Sequence, residues 1–388
     1  MPSAAAAIRA HAAQRAGRFE RDSRRPAMRA VVTTGHGGLD RLEQRVVPRP
    51  EAIEGEVLIR VLAAGLNNTD VNTRVGWYSR SVSSDTWAAS QARERPPSEV
   101  ADGGWSGATP FPLVQGVDCC GEVVEAGSAA DGTLVGRRVL VRPCMRPAGF
   151  GSLESVWMGV DFDGAFAQYV TAPSSEVFPV DCDLTDVELG AIPCAFGTAE
   201  NMLQRAGVRA GDRVLIAGAS GGVGSAAVQL AKLRGAHVTA IAAERKAADI
   251  RRLGADAVVD READIRAAMG GRSADVVLDT VAGPAFGELV DALAQGGRYA
   301  VCGAIAGPMV TLDARTLYLR DISITGCTAW GEGVFPSLVG RIERGEIQPL
   351  IAGVFALEDV AAAQTAFMAK ERAGKYVLVP AQPDNPRG

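Results

Sequence analysis

From residue 28 onward the apolar positions first repeat with a period of two. MRAVVTTGHGGLDRLEQRVVPRP alternates apolar and polar residues around the Gly35 to Gly38 turn, which predicts a β-hairpin. EVLIRVLAAGLNNTD predicts another strand ending in a polar loop, and GEVVEAG, RRVLVRP and AFAQYVTAP continue as short strands separated by glycine and proline. A mainly β domain over residues 28–180 follows from that texture. Between Ser79 and Thr109 the chain is rich in Ser, Trp, Asp and Gly without a clean period, so a long surface loop is expected there, of the kind that serves as a lid or binding loop.

After Asp181 the period changes. DRVLIAGASGGVGSAAVQLAKLRGAHVTAIAA reads strand, glycine turn, helix, strand, with Ala226, Leu230 and Leu233 spaced to cover one helix face. ADIRRLGADAVVD, ADVVLDTVAG, GGRYAVCGAIAG and ISITGCTA repeat the alternation, which predicts a doubly wound parallel sheet over residues 181–330. Residues 331–388 hold a helix and a last strand expected to return to the first domain. The fold class is therefore α/β, in two domains.

Composition narrows the function. A formal charge of −5 without long Lys/Arg blocks argues against a nucleic-acid partner, and no apolar run is long enough to cross a bilayer. Seven cysteines, an odd number that includes adjacent Cys119 and Cys120, fit reduced thiols and a cytoplasmic location better than a disulfide framework. Residues 1–27 are Ala- and Arg-rich with no acid before Glu20, the composition of a transit peptide, but their few large apolar residues favour a disordered tail.

The turn Ala219, Ser220, Gly221, Gly222, Val223, Gly224 follows a strand and opens a helix. In that context glycines admit a diphosphate close to the backbone, and free amides at the helix start complement its charge. The second strand ends in Ala242 and Ala243, where an NAD site places an acid for the ribose hydroxyls. Arg245 and Lys246 come next and could clamp a 2′-phosphate, so the expected cofactor is NADPH; the alternative is that both are solvated residues starting a helix. Gly303, Ala304 and Ile305 follow a later strand and are expected at the nicotinamide end, as is Thr198 unless it merely caps a helix.

These segments together resemble the medium-chain dehydrogenase/reductase superfamily, in its quinone-oxidoreductase branch, from Met28 to Pro380. GLNNTDVNTRVGWY is similar to that branch's active-site segment, with Asn67, Asp70, Arg74, Gly76 and Tyr78 at matching places, as are FPLVQGVDCCGEVVEAG, GAFAQYVTAP, AIPCAFGTAENML and GKYVLVP to others. The resemblance implies a GroES-like catalytic domain, a Rossmann domain and a homodimer formed through the last Rossmann strand, residues 322–328. The loop at 79–109 departs from the branch's short link. In the zinc-dependent relatives a Cys stands at Asn67, a His-Glu pair at Val117 and Asp118, and a third ligand near Cys194. Only the last survives, and His11, His36 and His237 are the chain's only histidines. No metal is expected.

The resulting expectation is an NADPH-dependent reductase of a quinone, enone or other α,β-unsaturated carbonyl. Asn67 and Tyr78 are the candidate donors to developing negative charge. Asp70 is a third candidate beside them; the alternative is that Asn67 and Asp70 serve turn structure and that Tyr78 only packs. Trp77 and Phe196 are expected to line the substrate pocket. The competing readings are an alcohol or aldehyde dehydrogenase using a metal set drawn from Asp118, Cys119, Cys144 and Cys194, and a non-catalytic NADPH-binding protein.

Overall fold

The computed structural model describes Phe19 and residues 25–91, 102–104 and 107–382, so most of the expected tail and part of the inserted loop lie outside the described residues. The hairpin forms as expected: Ala27–Thr33 pairs antiparallel with Leu42–Pro48, Met28 opposite Val47. The main sheet of the first domain runs in the order Val177–Pro179, Arg138–Val141, Cys120–Ala126, Glu56–Gly65, Lys375–Val379, Ile351–Ala356, with Tyr169–Pro173 also paired to Glu56–Gly65. The central strand Glu56–Gly65 reads as a near-continuous apolar run because it is covered on both faces.

The second domain is a six-stranded parallel sheet in the order Ala257–Val259, His237–Ile241, Arg213–Ala217, Ala274–Asp279, Leu293–Val301, Ser323–Gly326. The order reverses beside Arg213–Ala217, and open α/β sheets bind ligands at that switch point. Helix Gly222–Leu233 buries Ala226, Ala227, Leu230 and Ala231 against the sheet; Leu233, in its final turn, is exposed rather than buried with them.

Several expectations change. The polar run after Glu56–Gly65 is a helix, Asn68–Val75, not a loop. The Asn67 amide donates to Asp70 Oδ2 at 2.7 Å and Gly76 ends the helix at φ 68°, so capping groups compensate for a segment poor in helix formers. Inside the inserted segment Thr86–Gln91 is helical, with Thr86 and Ala89 buried. Helix Val334–Glu343 buries Val334, Phe335, Leu338 and Ile342 in the Rossmann core, so the chain leaves that domain later than residue 330.

The return is made by Gly374–Tyr376. Gly374 N donates to Ser220 O in the glycine turn at 3.0 Å, Lys375 N to Leu350 O at 2.8 Å, and Leu66 N to Tyr376 O at 2.8 Å. Three residues thus join the dinucleotide turn to the end of the central strand of the other domain.

Candidate active site

The glycine turn is shaped from the backbone outward. Strand Arg213–Ala217 runs into Gly218, whose φ of 74° favours glycine, and the helix starts at Gly222. A Cβ on Gly224 would lie 2.2 Å from Gly218 O, so the helix packs directly on the strand end, whereas a Cβ on Gly221 would meet only Gly218 O at 3.5 Å. Amides of the first helical turn have no intrahelical acceptor and carry the positive end of the helix dipole. That combination fits a diphosphate.

Beyond the turn the side chains of Asn67, Asp118 and Lys375 meet next to the Cys194 backbone. Lys375 Nζ donates to Asn67 Oδ1 at 2.6 Å, Leu66 O at 2.7 Å and Asp118 Oδ2 at 2.8 Å, which uses all three ammonium hydrogens. Asn67 Nδ2 donates to Asp118 Oδ2 at 2.9 Å and Gly65 O at 3.2 Å, and Cys194 N donates to Asp118 Oδ1 at 2.6 Å. Asn67, Asp118, Cys194 and Lys375 are all buried. Both amide hydrogens of Asn67 are engaged by protein acceptors, so in this geometry Asn67 orders the site instead of offering a donor to an acceptor oxygen.

Asp70 is fully buried, and desolvation pushes its carboxyl up to about 7 against the pull of the Asn67 amide and Lys375. The Tyr78 hydroxyl is hydrogen-bonded to Asn72 and Thr69, bonds that favour the phenolate; burial outweighs them and raises its pKa, so the phenol stays protonated. Burial also raises the Cys194 thiol, which is hydrogen-bonded to Thr198. Thr198 lies in the middle of helix Pro193–Arg205 and not at its start, which removes the cap alternative.

The two residues expected to line the pocket are packed instead. Phe196 is 1% exposed within the Rossmann-side core, on a helix buried almost all round. Trp77 is 8% exposed, donates from Nε1 to Ser84 O at 2.9 Å and belongs to the catalytic-domain core. Gly303, Ala304 and Ile305 are half-buried after strand Leu293–Val301, and Ile305 O accepts Thr86 N at 3.1 Å, so the inserted segment reaches this end of the cleft. Arg245 and Lys246 sit at the end of the second Rossmann strand as expected, but their side chains donate to backbone carbonyls of the return segment: Lys246 Nζ to Lys370 O at 2.6 Å, Arg245 Nη2 to Lys370 O at 3.1 Å.

A zinc ion does not fit these donors. Val117 is apolar, Asn67 offers an amide, the Cys194 thiol is held neutral, and an ammonium is bonded to both Asn67 and Asp118. The alternative set of Asp118, Cys119, Cys144 and Cys194 does not assemble either: among the described residues no three His, Cys, Asp or Glu side chains are grouped for a metal.

Sequence reasoning assigned no role to Lys375. The only signal was a lysine opening the otherwise apolar strand KYVLV. Replacing it with methionine leaves the Asp118 carboxylate buried without its cation, so Lys375→Met is expected to lose about 3–5 kcal/mol of unfolding free energy in urea titrations. A loss below about 1 kcal/mol, the range of a solvated surface pair, would show that the ammonium is not what holds the cluster.

The chain matches two family profiles: the alcohol dehydrogenase GroES-like domain over residues 53–182 and the zinc-binding dehydrogenase domain over residues 222–344. A solved structure from Sinorhizobium meliloti, provisionally named an alcohol dehydrogenase, is 41% identical, with 92% of this chain and 98% of that one covered and a TM-score of 0.82. Acryloyl-coenzyme A reductase of Metallosphaera sedula is 28% identical over 90% of this chain and 99% of its own. An NAD-dependent alcohol dehydrogenase of Sulfolobus acidocaldarius is 27% identical over 86% of this chain and 94% of its own. The agreement of both domains, in sequence and in fold, means that the chain belongs to the medium-chain dehydrogenase/reductase superfamily and is an oxidoreductase built around a nicotinamide cofactor.

Proposed function

We propose that the protein is an NADPH-dependent reductase that acts, without zinc, on a carbon–carbon double bond conjugated to a carbonyl, or on a quinone. The observation that carries this reading is the saturated cluster around Lys375. Oxidising an alcohol requires a group that withdraws the hydroxyl proton or a Lewis acid that acidifies it. Here both oxygens of Asp118 are already hydrogen-bonded, all three hydrogens of Lys375 are used, and Cys194 is held as a thiol. A conjugated acceptor makes smaller demands, because its charge spreads over the conjugated system and a proton is needed only afterwards.

When bound, the reduced nicotinamide supplies the hydride. The residues of the chain then orient, exclude water and deliver a proton. The turn Ala219 to Gly224 holds the diphosphate, Thr198 and Gly303 to Ile305 border the nicotinamide end, and Arg245 and Lys246 stand where the adenosine ribose carries its 2′-phosphate. Tyr78, kept protonated, donates to the acceptor oxygen, and the Asn72 and Thr69 bonds stabilise the phenolate that remains. The enzymes it is similar to include one named for reducing acryloyl-coenzyme A, an α,β-unsaturated thioester.

NADPH oxidation should be supported by enones, enoyl thioesters or quinones and should survive treatment with a chelator; Tyr78→Phe should lower kcat by about 10²-fold or more. Turnover of simple alcohols with loss of activity on metal removal, or an unchanged kcat in the variant, would contradict the assignment, and NADPH binding without oxidation by any acceptor would favour a binding role. In the Arg245→Ala, Lys246→Ala double variant the ratio of NADPH to NADH affinity should fall by about tenfold or more; a retained preference would remove these residues from coenzyme choice.

The edge of the Rossmann sheet supports a homodimer. Strand Ser323–Gly326 is a sheet edge, and Ile324, Tyr318, Leu319, Met309 and Val310 are exposed in the segments leading to it. Pairing two copies along this edge would satisfy unpaired backbone groups and cover apolar surface. Light scattering should give twice the chain mass, falling to one chain in Ile324→Asp; a monomeric wild type at micromolar concentration would refute the pairing.

A further inference from the structure

Lys370 ends helix Val360–Ala369 in the left-handed conformation, φ 52°, which an L side chain adopts only at a cost. The conformation is over-determined by its surroundings. Its carbonyl accepts Lys246 Nζ and Arg245 Nη2, while its own Nζ turns back to Asn68 Oδ1 at 3.2 Å and lies 3.7 Å over the Phe367 ring. The charges that act on this ammonium are Lys246 and Lys375, both cations. Lys375 is neutralised by Asp118 and packs against the glycine turn, where a Cβ on Gly222 would come 2.6 Å from its Cδ. Lys370 therefore sits between the residues that follow the second Rossmann strand and the lysine that abuts the turn, next to the first residue of helix Asn68–Val75.

We propose that Lys370 is a cation for the coenzyme diphosphate and that its amine takes up a proton when that dianion binds. The inference rests on the reading that a dinucleotide lies over Gly221–Gly224. A half-buried amine facing two other ammoniums is stable neutral, and becomes stable charged once a dianion enters; burial first, then Lys246 and Lys375, hold it at about 7 in the free protein. Lys246 is lowered as well, by burial and then by Arg245 and Arg261, so it is the other group that could titrate. Arg245 reaches the Lys370 and Glu371 carbonyls, and Asn68 and Phe367 carry no charge. Binding favours the protonated amine, so affinity is highest below the free-state pKa and declines as pH rises above it.

Calorimetric titration with NADH at about pH 8, in buffers of different ionisation enthalpy, reads both affinity and proton uptake without a titrating 2′-phosphate. The wild type should take up a sizeable fraction of one proton per NADH. Lys370→Met should bind NADH and NADPH more weakly by a similar factor, about tenfold, with the uptake abolished. Lys370→Arg, which cannot lose its charge in this range, should keep the affinity and lose the uptake, and it separates the effect from misfolding. Uptake that persists in Lys370→Arg would assign the proton to Lys246 and overturn the proposal. Weakening confined to NADPH would move the lysine to the 2′-phosphate, and unchanged affinity in Lys370→Met would remove it from the site, in both cases with the coenzyme reading intact. If neither coenzyme binds the wild type, that reading and this inference fall together.

Discussion

A single ammonium is held at the junction of the two domains. Lys375 enters from a strand that began in neither of its neighbours' segments, and its three hydrogens go to the end of the central strand, to Asn67 and to Asp118. The residue before it, Gly374, is tied to the dinucleotide turn, and at φ 100° a Cβ there would lie 2.2 Å from Leu350 O. Charge and backbone together fix the distance between the coenzyme turn and the cluster at the other end of the cleft. Burying an ion pair is a poor way to gain stability, since desolvation offsets the attraction. What the pair contributes here is position: it bonds the start of the last strand to Leu66, Asn67 and Asp118 at once.

The same saturation shapes the chemistry. Where a metal would stand in zinc-using relatives there is positive charge, but no free valence with which to polarise an acceptor. Asn67 is likewise occupied. In the proposed reaction the stabilisation of developing charge falls to a group outside the cluster, and Tyr78 is the candidate: burial raises its pKa while two bonds favour its anion. Asp70 serves the cluster indirectly, through the Asn67 amide, at the cost of a carboxyl pushed up to about 7 by its burial.

Much of this architecture was legible in the order of residues. Alternation marked the hairpin and the outer strands, and strand, glycine turn, helix, strand marked the Rossmann unit, because each of those signals is local. Helix Asn68–Val75 was missed because NTDVNTRV carries little helix propensity; its real markers were the spacing of Asn67 and Asp70 as a capping pair and Gly76 behind. Trp77 and Phe196 stand at positions that suit a pocket, whereas the turn after helix Asn68–Val75 and the packing of helix Pro193–Arg205 bury both. Lys375 has one local mark, a lysine at the head of an apolar strand, and nothing nearby in sequence shows what it binds. Its partners Asp118 and Asn67 lie 257 and 308 positions away, and only the fold of the return segment brings them together.

The two domains are thus joined at several places of unequal strength, Arg146 and Cys144 also bonding the Trp330 and Thr328 carbonyls. At the turn, a buried charge shared among three acceptors resists separation, and breaking such a pair costs about 3–5 kcal/mol. At the nicotinamide end, among the described residues, Thr86 N donates to Ile305 O at 3.1 Å, a contact worth about 0.5–1.5 kcal/mol, and Ala304 packs against the catalytic-domain core. Of these contacts the buried pair at Lys375 is therefore costlier to break than the single Thr86 hydrogen bond.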